Sequence, residues 1–314
     1  MKWFCAGRWI APPLSDGYWH AWASTPVYAG LKLPRVTGSM MVLDGHFLYP
    51  QHELDELVKF SLDKLKNDPD WFEEFFKECE KACKALEKAS LGVSTNDLVS
   101  GWESIEGPMR NLFTLWTLSY LHFDHALNKA FHDFSVKSKI PEEELAALVK
   151  PSRPARVVAQ QREARQLKKK IMEVVSESDL LDAKKVLVTL KKNAPELHEQ
   201  IQVHLKKFGY IGIHHFWGEP LSFEKILDID FKENPQQELA IPSEAKQLVY
   251  LGSEIAFWRL YLAETSGVAA FNLLPFFKQS ASALGVKKED YMYLADFEYS
   301  SLLKNREKVT REET

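Results

Sequence analysis

Between Met109 and Phe134 the chain carries more large apolar side chains than one helix face can hold. Leu112, Phe113, Trp116, Tyr120, Phe123, Leu127, Phe131 and Phe134 recur at three and four, which at 3.6 residues per turn makes one continuous stripe. Leu115, Leu118 and Leu121 fall on other faces of the same helix. A helix that is apolar on several sides has to be surrounded by other elements. This segment, opening after Pro108, is therefore the expected central core element, and the rest of the chain must cover it.

The covering is helical by pattern. Leu54, Leu57, Val58, Leu62 and Leu65 mark one helix from His52 onward, and Asp68-Pro69 resets the chain with a cap and a proline at a first helical position. Phe72, Phe75, Phe76, Cys79, Ala82, Cys83 and Leu86 then share a stripe, which ends in the break from Gly92 to Asn96. Two prolines between Lys150 and Pro154 open a polar helix whose apolar stripe is narrow. Further helices are expected over Asp179 to Lys192, Pro195 to Phe208, Ser222 to Asp230, Ser243 to about Ser266, and Phe271 to Leu284, the last stopped by Gly285.

Residues 1–50 are different, being rich in aromatics, Pro and Gly, with turn signals at Ser15-Asp16-Gly17 and Asp44-Gly45 and no clean period. No alternating run is long enough to build a sheet, and no internal repeat is present. The expected fold class is all-α: an irregular, aromatic-rich N-terminal segment followed by a multi-helix array. In domain terms, 1–50 is a lead-in packed on the body, 51–150 a helical core, and 151–314 a second helical part continuous with the first.

Composition narrows the function. A chain of 314 residues that is 45% hydrophobic and 12% aromatic can bury a substantial core. With 44 acidic against 40 basic residues its net charge of -4 gives no general attraction to nucleic acid or anionic lipid. Neither is expected as a partner. Three cysteines, Cys5, Cys79 and Cys83, are too few for a disulfide framework and fit a reducing, cytoplasmic setting. Charged and turn-forming residues interrupt Met1 to Trp22, unlike the apolar core of a signal peptide, and no run reaches the roughly 18 apolar residues of a membrane span.

Three constellations are candidates for chemistry. Arg259 falls in the middle of a face built by Leu248, Gly252, Ile255, Leu262 and Ser266. A guanidinium there needs a carboxylate, a carbonyl cluster or a bound anion, because an unpaired buried charge costs several kcal/mol or more; an internal ion pair and a ligand contact both satisfy it. A second candidate is the unusual loop after Gly209, with His214, His215, Trp217 and Glu219, either a binding loop or packing against the helical body. The third is His122, Asp124, His125 and His132 on the core helix, where His122 and His125 are placed to share a metal, or simply line its polar face. The run Lys168-Lys169-Lys170 reads as a solvated face. GxxxxGK[ST], GxGxxG, HExxH and GxSxG are all missing from the sequence. No complete catalytic set is present, and no cofactor or metal site is expected.

Two stretches carry a family resemblance. One runs from His204-Leu205-Lys206-Lys207-Phe208-Gly209-Tyr210 through the loop to Gly218-Glu219-Pro220-Leu221-Ser222. The other comprises Leu251-Gly252-Ser253-Glu254, Arg259, Leu273 to Leu284-Gly285-Val286, and Glu289-Asp290-Tyr291-Met292-Tyr293-Leu294. Together they resemble the helical region preceding the mobile phosphohistidine domain of phosphoenolpyruvate-utilising enzymes, the group of phosphoenolpyruvate synthase-like and rifampicin phosphotransferase-like proteins. Neither the ATP-grasp domain nor the Gly- and Thr-rich phosphohistidine domain of that group is visible, and His214 and His215 do not sit in such a sequence.

The resemblance implies a helical substrate-recognition or docking module of a dikinase-like phosphotransfer system, not catalytic alone. Arg259 and the 214–219 loop would lie near its site, and its partner would be a protein with an ATP-grasp or phosphohistidine domain, or a small-molecule substrate. Two other readings stay open: a protein–protein interaction scaffold without a ligand pocket, and a metal-dependent enzyme using clustered histidines.

Overall fold

Long-range pairing turns part of the aromatic lead-in into a sheet, against the sequence expectation of none. In the computed structural model, which describes residues 2–8, 22–37, 41–43, 46–213, 219–230, 241–287 and 296–305, strands β1 (Trp3–Arg8), β2 (Met41–Leu43) and β3 (His46–Pro50) form an antiparallel sheet in the order β1-β3-β2. Trp3 faces Pro50 and Leu43 faces His46, with a register shift between Cys5 and Gly7. Strands this short display too little alternation to stand out from one sequence, and the partners of β1 and β3 come from opposite ends of the lead-in. Between them a short helix, α1 (Pro26–Gly30), starts with Pro at its first turn and Thr25 as N-cap, the hydroxyl accepting from the Tyr28 N–H. Helices otherwise dominate the described residues, so the fold class is all-α.

Helices α2 (Gln51–Asn67) and α3 (Trp71–Leu91) follow their sequence stripes. Helix α4 (Leu98–Thr117) begins ten residues before Pro108. The Asp97 carboxylate accepts from the Ser100 N–H and so caps the helix there, leaving Pro108 inside it to forfeit one helical N–H. The column continues without interruption through a π-helical turn, Leu118–Phe123, into α5 (Asp124–Ser138), and α6 (Glu142–Leu148) follows.

The contacts divide the chain into two units, residues 1–152 with 240–314 and residues 153–239. In the second unit α7 (Arg156–Val174), α8 (Ala183–Asn193), α9 (Pro195–Phe208) and α10 (Phe223–Leu227) enclose a core of their own, centred on Ala164, Ile171, Val186, Leu190, Ile201 and Ile226. The chain then returns to the first unit with α11 (Lys246–Leu284) and α12 (Asp296–Asn305).

Two sequence expectations change here. Residues 240–314 group with the first unit, so the units do not follow the expected single part over 151–314. The two helices expected over 243–284 are also a single helix of 39 residues. The segment Gly267-Val268-Ala269-Ala270 carries no capping side chain, and most of it is buried, so nothing there ends the backbone ladder. Among the described residues no helix is long and apolar enough to cross a membrane.

The core of the first unit lies where α3, α4 and α11 meet around the π-turn. Phe72 and Phe75 close edge-on over Phe123 at 5.3 and 4.7 Å, and all three are essentially inaccessible. Fully burying one such ring stabilises the fold by roughly 1.5–3 kcal/mol. At Gly101 α4 packs tightly against the Phe276 ring of α11 and the backbone of Ser94. A methyl group there would stand 2.6 Å from the Ser94 carbonyl oxygen and 2.8 Å from the Phe276 ring. In an ordinary helix interior Gly→Ala gains about 0.5–1 kcal/mol. At this position the expected sign is reversed: Gly101→Ala should lose about 1–3 kcal/mol through overpacking, read as a lower denaturation midpoint, and a stabilised variant would mean that the two helices are less tightly apposed.

Candidate functional site

The π-turn brings together the polar groups of the central helix. Turns of this kind widen the ladder to i→i+5 and occur often at functional sites. Its own hydroxyls are accounted for locally, Ser119 Oγ donating to the Trp116 carbonyl at 2.9 Å and, one residue before it, Thr117 Oγ1 to that of Phe113 at 2.8 Å. Two side chains of the turn, Tyr120 and His122, have different surroundings.

Tyr120 lies in the electrostatic reach of Asp124 and Arg259. Arg259 Nη1 donates to Asp124 Oδ1 at 3.0 Å, joining α11 to the first residue of α5. The arginine side chain is 35% exposed and the aspartate 45%, so the pair is worth only about 0.2–1 kcal/mol to the fold. Burial raises the Tyr120 pKa; Arg259 opposes that rise and Asp124 adds to it. The phenol therefore stays protonated at neutral pH, as a donor beside a guanidinium and a carboxylate. Gly252, Ile255, Leu262 and Ser266 are buried on the same helix and Leu248 is half-buried, so Arg259 does lie within an apolar face.

His122 is fully buried, and neither ring nitrogen has a hydrogen-bond partner among the described residues. Its ring centroid lies 5.3 Å from that of Trp22 and 5.5 Å from that of Tyr49, both fully buried. The lead-in is fastened over it by Thr114 of α4, whose hydroxyl donates to the Trp22 carbonyl at 2.8 Å. Beside this aromatic group the buried Glu53 accepts from the Thr37 N–H at 3.0 Å and from its hydroxyl at 2.5 Å. Burial, followed by the charge of Glu53, holds the Tyr49 and Tyr28 hydroxyls well above the usual tyrosine range. Desolvation lowers the His122 imidazole to about 3, with His125 adding a smaller like-charge effect.

The histidine constellation is not assembled. His122 is enclosed by Trp22 and Tyr49, His125 packs edge-on against Phe4 at 5.1 Å, and the exposed His132 meets Glu142 at 3.2 Å. Among the described residues no three His, Cys, Asp or Glu side chains converge as metal ligands. His214, His215 and Trp217 lie outside the described residues. Glu219 is exposed, and its carbonyl oxygen sits 1.9 Å from where a Cβ on Gly212 would stand. With the Leu221 N–H donating to the Gly209 carbonyl at 2.9 Å, the two ends of the loop meet at a position only glycine can occupy. That loop belongs to the second unit and Arg259 to the first.

Sequence reasoning named Arg259 and Asp124 separately and missed their pairing, as well as Tyr120, which it counted only as core. The available signal was the spacing of Tyr120 and Asp124 on one helix, but a π-turn changes which residues share a face. No model of a known protein family, no curated protein and no solved structure matches this chain.

The buried imidazole makes stability depend on pH with a definite sign. A histidine titrates near 6.5 in the unfolded chain, and His122 near 3 in the folded one. As pH falls from about 6.5 toward 3, the unfolded state takes up a proton that the folded state refuses, so stability falls by up to about 1.4 kcal/mol per pH unit from this residue. His122→Phe should keep or gain stability at pH 7 and show a shallower acid slope in denaturant titrations. A large loss at pH 7 would mean that the imidazole is hydrogen-bonded in the native state.

Proposed function

We propose that this chain is a non-catalytic helical recognition module of a phosphoenolpyruvate-utilising, dikinase-like phosphotransfer system, and that the Tyr120–Asp124–Arg259 cluster receives an anionic group of its ligand. The ligand is a small phosphorylated or carboxylated substrate, or the mobile domain of a partner that supplies the ATP-grasp and phosphohistidine chemistry. The observation that carries this reading is the Arg259 guanidinium, set in an apolar helix face yet one-third exposed, and held by one carboxylate contact of 3.0 Å. Such a pair adds little to stability, while a guanidinium presents five N–H donors suited to planar oxyanions. Tyr120 adds a protonated phenol beside it. The resemblance around Arg259 supplies the phosphotransfer context.

Calorimetric titration of the full chain with phosphoenolpyruvate and with inorganic phosphate tests the site. Saturable binding is expected, weakened about tenfold or more in Arg259→Gln, whose melting temperature should stay within about 4 °C of the parent because the lost pair is worth no more than about 1 kcal/mol. If Arg259→Gln unfolds, the arginine is a structural tie and the site assignment goes. Purification from the native host tests the context: a co-purifying protein with an ATP-grasp or phosphohistidine domain supports it. Absence of both anion binding and such a partner overturns the reading.

A further inference from the structure

A cleft of about 490 Å³ opens between α1 and the outer side of α3, within the usual range for small-molecule sites. None of its residues belongs to the Tyr120–Asp124–Arg259 cluster. Its walls are Val27 and Leu31 from the α1 region and Trp71, Ala82 and Ala85 from α3, with Asn111 of α4 contributing to the lining. Trp71 is held in place by its Nε1, which donates to the Leu31 carbonyl at 3.2 Å. Gly30, also lining the cleft, has open space where a side chain would stand. Next to it Lys32 sits in the left-handed region, with φ 54°, a conformation that non-glycine residues adopt at a cost.

The polar groups of the cleft define what it can hold. Glu74 is paired with Lys77 at 2.6 Å and Glu78 with Lys81 at 2.6 Å, so the two carboxylates on the rim are already neutralised. Asn111 Oδ1 is shielded from solvent and has no hydrogen-bond partner among the described residues, which is costly for an amide oxygen. Rotation about χ2 of an asparagine is soft, so a donor entering the cleft can meet this oxygen.

We propose that this cleft binds a neutral, amide-bearing small molecule, its apolar or aromatic body against Trp71 and Leu31 and its N–H donating to Asn111 Oδ1. With both carboxylates paired, an ammonium would lose hydration without gaining an unpaired counter-charge. Lys32, the remaining cation of the lining, is solvent-exposed and attracts a carboxylate only weakly, while the Asn111 oxygen, an acceptor, opposes one.

Benzamide, benzoate and benzylammonium share one ring and differ in charge and donor, so titrating the full chain with each separates the possibilities. The readout is the shift of the Trp71 indole N–H and the Gly30 amide in nitrogen-15 NMR spectra. Benzamide should shift both signals saturably, with a Kd on the order of 1 mM as befits a fragment. Benzoate and benzylammonium should bind at least about fivefold more weakly. Asn111→Leu should weaken benzamide about tenfold, the usual effect of one hydrogen bond in a shielded site. Ala85→Phe, a filling substitution at an exposed helix position, should abolish the shifts and serves even where Asn111→Leu misfolds. No response to benzamide overturns the site, and equal binding of all three probes overturns the ligand class.

Discussion

The structure depends on one requirement: the helical column from Leu98 to Ser138 has to be covered on several sides at once. Leu112, Phe113, Leu115 and Leu118 are all fully buried although they point in different directions around the axis. A single antiparallel neighbour cannot do this. Helix α3 closes one side with Phe72 and Phe75, and α11 runs alongside for much of its length. The aromatic lead-in closes another through Trp22, Tyr28 and Tyr49. This explains why residues far apart in the chain, 22–49 and 246–284, must both come back to the same column.

The π-turn occupies the middle of this covered column: His122 lies within it, and Asp124, the partner of Arg259, directly follows it. His122 is accommodated as a neutral ring among aromatic neighbours, where shape and dispersion offset part of the cost of nitrogens that have no hydrogen-bond partner among the described residues. On the Arg259 side the burial is incomplete, so a charge can persist with one carboxylate partner. The difference between a depressed histidine and an intact ion pair within one turn is a difference in solvent access.

Close approaches set the remaining architecture. Gly101 lets α4 reach Phe276 of α11, and Gly252 lets Val149 lie against α11 with methyl groups 3.2 and 3.3 Å from a notional Cβ. The Ser152 N–H then donates to the Ser253 carbonyl at 3.2 Å, fixing the chain to α11 just before it leaves for the second unit. In that unit the narrow stripe of Ala164, Leu167 and Ile171 suffices because only short helices pack on it.

The amino-acid sequence by itself determined that the chain is mainly helical and which side chains form its main buried stripes. The stripes through Phe72 to Leu86 and Leu112 to Phe134 follow from a 3.6-residue period that needs no partner to be visible. It also placed Arg259 on a mostly apolar face and required a carboxylate, a carbonyl cluster or a bound anion to meet it. Tertiary structure alone decided that the partner of Arg259 is Asp124, that residues 3–8 and 46–50 pair as strands, that 246–284 is one helix, and that 240–314 returns to the first unit. Each of these is a choice among partners remote in sequence. Local periodicity records how a segment faces its surroundings, whereas the free energy that selects the surroundings is summed over contacts formed only when the whole column is covered.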